Sequence, residues 1–162
     1  MILLRDARRL AVAAVAIAVI AACACLPMPV LAQVHAPEEG VAYRNYVLNC
    51  MGCHGAAGEG VPGKIPPLKN AIGLFVHTEA GRQFIVRVPG ASTSALTDDE
   101  LAAVTNLLVE RFGTDRSPPD FRPYTAEEVA ALRRPAYADV ATVRRTVIEE
   151  LRGRGIPMKF DY

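Results

Sequence analysis

Histidine is scarce in this 162-residue chain, and neither sign of charge is in clear excess. The three histidines are His35, His54 and His77. They form no recognisable constellation of acid, base and nucleophile, which argues against a hydrolase of the Ser-His-Asp kind. Strand signals are weak, because no stretch alternates convincingly between apolar and polar residues, and we find no internal repeat after residue 32. The sequence therefore indicates a helical protein without an evident catalytic triad.

The balance of charge excludes some partners. The chain has 18 Lys and Arg against 17 Asp and Glu. Removal of residues 1–32 takes away three Arg and one Asp, which leaves 15 basic against 16 acidic residues. A nearly neutral body gives no reason to expect binding to nucleic acid or a strong attraction to a membrane surface. The 130 residues that remain fit one compact domain with an extension.

Charged residues are also missing from residues 10–32, which are rich in Ala, Val and Ile. Three arginines within residues 1–9 precede this run, and residues 30–32 are aliphatic or small. This layout predicts a secretory signal peptide over residues 1–32. The mature protein is therefore expected to be exported to the periplasm.

Two other interpretations of this segment stay open. Residues 20–23 resemble a bacterial lipidation motif ending at Cys23, and the uncharged run is long enough for a retained membrane anchor. Lipidation at Cys23 would leave Cys25 as a stray thiol in an oxidising compartment, whereas cleavage after Ala32 leaves only Cys50 and Cys53. A membrane association is expected only with such a lipid or anchor, and export is common to all three readings.

Cys50, Cys53 and His54 form a C-x-x-C-H run. On a helix, positions i, i+3 and i+4 share one face, so these side chains can meet one ligand. Two thiols at this spacing can add to the vinyl groups of haem, and the next histidine can bind the iron. The run predicts one covalent haem c, with His54 as the proximal iron ligand. The alternatives are a disulfide between the two cysteines and a zinc site that includes His77.

Periodicity and capping predict several helices. Leu101, Val104, Leu108 and Phe112 form one apolar stripe behind a capping box at residues 97–100. A second capping box is predicted at residues 125–128. The arginine pairs at residues 133–134 and 144–145 are interpreted as solvated helix faces, with docking to a partner as the alternative. The predicted helices cover residues 41–50, 79–88, 98–112 and 140–151.

These features resemble a small class I c-type cytochrome, a periplasmic protein with a single haem. A helix leads into C-x-x-C-H, which is followed by a glycine-rich loop, the segment Pro66-Pro67-Leu68 and a final capped helix. The resemblance implies an all-α fold whose helices wrap around one covalently attached haem. It also implies that the carbonyl of Pro66 accepts a hydrogen bond from His54 and that Leu68 packs on the haem.

The chain is thereby divided into four parts. They are a signal peptide at 1–32, a leader at 33–40, a haem domain at 41–113, and a linker with a helical C-terminal extension at 114–162.

The sixth iron ligand departs from the family pattern. Class I cytochromes usually supply a methionine from the loop before the last helix, and residues 88–96 contain none. The candidates are His77, Met158 and an open or water-filled position, with His35 as the weakest. The choice matters because bis-histidine ligation lowers the reduction potential relative to His/Met, and an open position permits ligand binding.

One haem, an export signal and no catalytic constellation together favour an electron carrier over an enzyme. The resemblance implies redox protein partners, such as a periplasmic dehydrogenase, another cytochrome or a terminal oxidase. One alternative is a haem sensor or peroxidase-like protein with an open distal site. Another is a haem subunit of a larger dehydrogenase or oxidase complex, docked through residues 114–162.

Overall fold

The computed structural model describes residues 35–158, with side chains from residue 38 onward. The predicted signal peptide, the lipidation site at Cys23 and residues 33–34 of the leader lie outside these residues. The described part contains helices but no strand, so the all-α prediction is confirmed. Helices α1 to α8 span His35–Asn49, Met51–His54, Ile72–Phe75, Glu79–Arg87, Pro89–Ser92, Asp98–Gly113, Ala126–Leu132 and Val140–Gly153. Between residues 35 and 158, no helix combines the length and apolar character that crossing a bilayer requires.

Helix α1 begins earlier than the sequence predicts. It starts at His35 rather than at Val41, so most of the predicted leader forms the first turns of this helix. Glu38 lies in the first turn, where a negative charge interacts favourably with the positive end of the helix dipole. The apolar periodicity marks only the packed half of α1, because residues 38–41 are exposed and carry no such signal.

The crossing of α1 and α6 forms the centre of the first hydrophobic cluster. Tyr46 is fully buried, and its ring centroid lies 5.8 Å from that of Phe112. The predicted stripe on α6 is buried throughout, as its periodicity requires. Both halves of the capping box at Thr97 and Glu100 are formed, so this prediction is confirmed. The cap fixes where α6 begins and hence the register of its contacts with α1.

The C-terminal extension packs into the core. Tyr124 and Val129 belong to the first cluster, together with Tyr46 and residues of α6. Helix α8 forms a second cluster with Phe75 and Phe84, whose stacked rings lie 5.2 Å apart. The extension therefore contributes a substantial part of the apolar surface that the described chain buries.

The second capping box forms only in part. The backbone amide of Glu128 donates to the Thr125 hydroxyl at 3.2 Å, as predicted. The Glu128 carboxylate does not complete the box, because it accepts two hydrogen bonds of 2.8 Å from the Arg82 guanidinium. Arg82 is itself buried and stacks 4.0 Å from the ring centroid of Tyr124. A charged partner from α4 thus replaces the predicted local contact, since ionised groups form the stronger hydrogen bonds.

The prediction that both arginine pairs face solvent is wrong for one member of each pair. Arg134 and Arg145 are exposed, but Arg133 is only 1% exposed and Arg144 only 6%. The Arg144 guanidinium lies 5.9 Å from the ring centroid of Phe75. Because the extension folds back over the core, one arginine of each pair points inward, and a local charge pattern does not reveal such a tertiary contact.

Candidate haem-attachment site

The C-x-x-C-H residues lie in one helical turn. Cys50 stands at the N-cap position of α2, and the amides of Cys53 and His54 both donate to its carbonyl, at 3.1 and 3.0 Å. The amide of Cys50 donates in turn to the carbonyl of Tyr46 at 2.9 Å, which ties the turn to α1. The helical spacing that the sequence predicts is therefore present, and it places both cysteines and the histidine in one turn.

Both cysteines are free thiols. Cys53 is exposed and Cys50 is half-buried, and burial raises the pKa of the Cys50 thiol. Thiols that are unpaired and reachable are what the formation of two thioether bonds requires. The disulfide alternative is not observed in this turn. Among residues 35–158, no three His, Cys, Asp or Glu side chains gather into a group that could hold a metal ion, so the zinc alternative has no ligand set here.

His54 has the surroundings expected of an iron-binding imidazole. Burial lowers its pKa, which favours the neutral ring that coordinates metals, and the carbonyl of Pro66 acts in the opposite direction. Nδ1 of His54 is buried and forms no hydrogen bond within the described chain. If Nε2 bound iron, Nδ1 would carry the proton and the carbonyl of Pro66 would be its acceptor.

The loop after His54 is held by backbone hydrogen bonds. The amide of Gly60 donates to the carbonyl of His54 at 2.9 Å, and the amide of Leu68 donates to the carbonyl of Gly58 at 2.8 Å. Gly60 has a φ of 67°, and an added Cβ would lie 2.4 Å from the carbonyl oxygen of Ile65. Only glycine fits this position, so the glycine-rich sequence is what brings the Pro66–Leu68 segment back to the histidine.

Apolar side chains beside the motif remain in contact with solvent. Val47, which precedes Cys50 by one helical turn, is 40% exposed, Leu48 is 72% exposed and Val61 is 40% exposed. Leu68 is half-buried and packs at the edge of the first cluster. Apolar side chains next to two free thiols and a half-buried imidazole suit a macrocycle such as haem. Cys50 and Cys53 would hold it covalently, His54 would bind its iron, and the bound group would supply reversible one-electron chemistry.

The candidates for the sixth ligand have other contacts. Nε2 of His77 lies 2.8 Å from the carbonyl oxygen of Arg116, and the ring is half-buried. Met158 is 6% exposed and packs in the second cluster with residues that include Phe84 and Leu151. The His35 side chain lies outside the described side chains. The choice among these candidates therefore stays a prediction.

Comparison with known proteins agrees with this geometry. Residues 42–111 match the family model of cytochrome c. The chain is 33% identical over 102 residues to a cytochrome c-552 from Thermus thermophilus, an alignment that covers 52% of this chain and 78% of the relative. A second cytochrome c-552 from the same species is also 33% identical over 102 residues, which cover 52% of this chain and 69% of that relative.

The chain belongs to the cytochrome c family. Members of this family carry covalently bound haem c, so the predicted cofactor is confirmed, and the family favours an electron carrier over an enzyme. The matched region ends within α6. The extension of this cytochrome beyond residue 113 therefore has to be interpreted from its own contacts.

Sequence reasoning missed one group that supports the site. The hydroxyl of Tyr46 donates to the carbonyl of Gly55, the residue that follows His54. Burial raises the pKa of Tyr46 to about 12, so the hydroxyl keeps its proton and remains a donor. The position of Tyr46 four residues before Cys50 predicts that it faces the core. Its hydrogen-bond partner, on the other side of the motif, can be identified only from the folded structure.

Proposed function

We propose that this cytochrome is exported to the periplasm and transfers single electrons between redox proteins there. The observation that carries the proposal is the turn formed by Cys50, Cys53 and His54, with its two free thiols and its half-buried imidazole beside Pro66. Such a site offers one covalent haem and a fixed proximal ligand, which is what reversible electron transfer needs.

The partners we propose are other redox proteins of the same compartment, such as a dehydrogenase, a second cytochrome or a terminal oxidase. The export motif over residues 1–32 supports the compartment, since covalent attachment of haem at C-x-x-C-H belongs to exported proteins. Fractionation of cells and N-terminal sequencing of the mature protein test this part. A new N-terminus at Gln33 in the periplasmic fraction supports it, whereas a cytoplasmic protein that retains Met1 contradicts it.

Electron transfer is tested on the mature haem-loaded protein. A potentiometric titration followed by visible absorption should fit a one-electron couple, and the reduced protein should pass its electron to an oxidised monohaem cytochrome c in a stopped-flow mixing experiment. The control is the same mixing experiment with the oxidised monohaem cytochrome c alone. Irreversible reduction, or sustained peroxide turnover without electron exchange, would instead indicate a peroxidase-like protein.

A further inference from the structure

Arg133, in the C-terminal extension, is buried against residues 88–96. We call this segment, which includes the single turn of α5, the pre-α6 loop. Arg133 follows α7 directly and is only 1% exposed, although it carries a full charge. Its guanidinium donates to the carbonyls of Leu96, Ala91 and Ser94 at 2.9, 3.2 and 3.3 Å. It also forms an ion pair of 2.8 Å with Asp98, the first residue of α6. It also donates to the hydroxyl of Ser94 at 3.2 Å, so one side chain joins the pre-α6 loop and the start of α6 at five points.

These contacts determine the shape of the pre-α6 loop. Three carbonyl oxygens converge on the Arg133 cation. Without the guanidinium, these largely buried oxygens would lose a charged hydrogen-bond donor. The contact is reciprocal, because the hydroxyl of Ser92 donates to the carbonyl of Arg133 itself. These hydrogen bonds join residues that are 37 to 42 positions apart in the chain. The pre-α6 loop therefore has an anchor that does not involve iron.

The pre-α6 loop has no side chain left to offer to a metal. It contains no Met, His, Cys or Lys. The hydroxyl of Thr93 donates to the carbonyl of Pro89 at 2.6 Å, and that of Ser94 donates to the carbonyl of Ala91 at 2.9 Å. The Ser92 hydroxyl is used by Arg133, so each hydroxyl of this loop is already engaged with the backbone. Nε2 of His77 lies beside the carbonyl of Arg116, and Met158 packs in the second cluster, which Val88 of this loop also contacts.

We propose that Arg133 is a positioning residue that anchors the pre-α6 loop independently of the iron, and that this loop would leave the sixth coordination position of a haem held by His54 open to a small neutral ligand from solvent. The proposal rests on the haem of the proposed function and would add ligand binding to electron transfer. It assigns the extension a role at the haem: residue 133 keeps the pre-α6 loop in place whether or not a ligand is bound. Carbon monoxide is the probe for the free position.

The first experiment compares amide hydrogen exchange in the haem-loaded wild type and the Arg133→Met variant. Peptides covering residues 89–96 should exchange about tenfold or more faster in the variant, because hydrogen bonds to a charged group are lost. The matched control is Arg82→Met, which removes another buried arginine that joins the extension to the core and leaves the pre-α6 loop contacts intact. It should leave exchange in residues 89–96 unchanged. Equal exchange in wild type and Arg133→Met would overturn the anchoring role.

The second experiment measures carbon monoxide binding to the ferrous proteins by visible absorption. Wild type should bind it completely, and Arg133→Met should bind it with a faster association rate, while Arg82→Met should match wild type. An unchanged low-spin spectrum of the wild type in carbon monoxide would overturn the free sixth position. If Arg133→Met does not fold, Asp98→Asn weakens one of the five contacts and should raise exchange in the same peptides to a smaller degree. Failure of the proposed function would show separately, as a wild type without covalent haem or without a one-electron couple.

Discussion

The buried ion pair between Arg82 and Glu128 gives the most quantitative prediction for stability. The two side chains are 5% and 12% exposed and share two hydrogen bonds of 2.8 Å. Glu128→Gln would leave the Arg82 cation with the carbonyl of Arg122 at 2.7 Å and the face of Tyr124. Because breaking a buried pair leaves an uncompensated charge, we expect the free energy of unfolding to fall by about 3 kcal/mol.

The pH dependence of this loss has a defined sign. Burial acts to raise the pKa of Glu128, but Arg82 and Arg122 together outweigh it, and the net pKa is lowered in the folded protein. A lowered folded pKa contributes stability above the unfolded value of about 4.3, and this contribution is lost as the pH falls through the folded value. The difference between wild type and Glu128→Gln should therefore be full at pH 7 and shrink below about pH 4.

The assay is urea unfolding of the mature haem-loaded protein, followed by far-ultraviolet circular dichroism at pH 7 and at acidic pH. The matched control is Glu150→Gln, which breaks the pair with Arg154 on the surface of α8, where the side chains are 35% and 59% exposed. Exposed pairs contribute about 0–1 kcal/mol, so this control should stay close to wild type. A Glu128→Gln loss no larger than that of the control would refute the idea that the pair fastens the extension to α4.

Two further substitutions test the site loop and the helix crossing. Left-handed backbone strain alone costs about 1–2 kcal/mol for a residue with a Cβ. Gly60→Ala should lower the free energy of unfolding by more than this, because its Cβ would lie 2.4 Å from the carbonyl oxygen of Ile65. Gly63→Ala, with a similar φ of 68° and no atom within 4 Å, should show only that strain, and equal losses in urea unfolding would contradict the explanation. Phe112→Ala should lose about 3–5 kcal/mol in the same assay, because it empties the contact with Tyr46. Leu48→Ala changes a side chain that is 72% exposed and should leave the free energy of unfolding almost unchanged. Comparable losses of stability in Phe112→Ala and Leu48→Ala would argue against the crossing of α1 and α6 as the centre of the core.

The parts of the fold that the sequence predicts well are those governed by local chemistry. The cap at Thr97 and the stripe from Leu101 to Phe112 depend on neighbours within one helix, and both are present as predicted. The spacing of Cys50, Cys53 and His54 likewise depends on one helical turn. Periodicity carries this information because residues three and four apart share a face.

The parts that could not be predicted depend on contacts between distant residues. Nothing near Glu128 in the sequence indicates that its carboxylate binds Arg82, 46 positions away, instead of completing the capping box. Arg133 and Arg134 are adjacent and chemically identical, yet only one is buried, since the choice depends on where the pre-α6 loop lies. The early start of α1 was missed for a different reason, because its first turns are polar and exposed.

Covalent haem at the C-x-x-C-H turn is the property on which the proposed electron transfer depends. The measurement that tests it is the intact mass of the mature exported protein, combined with alkylation of its free thiols. We predict a mass increase of one haem, no thiol available for alkylation, and little folded protein from the Cys50→Ala, Cys53→Ala double variant. A mature protein with two alkylatable thiols and no added haem, or a double variant with normal yield and helix content, would contradict the account.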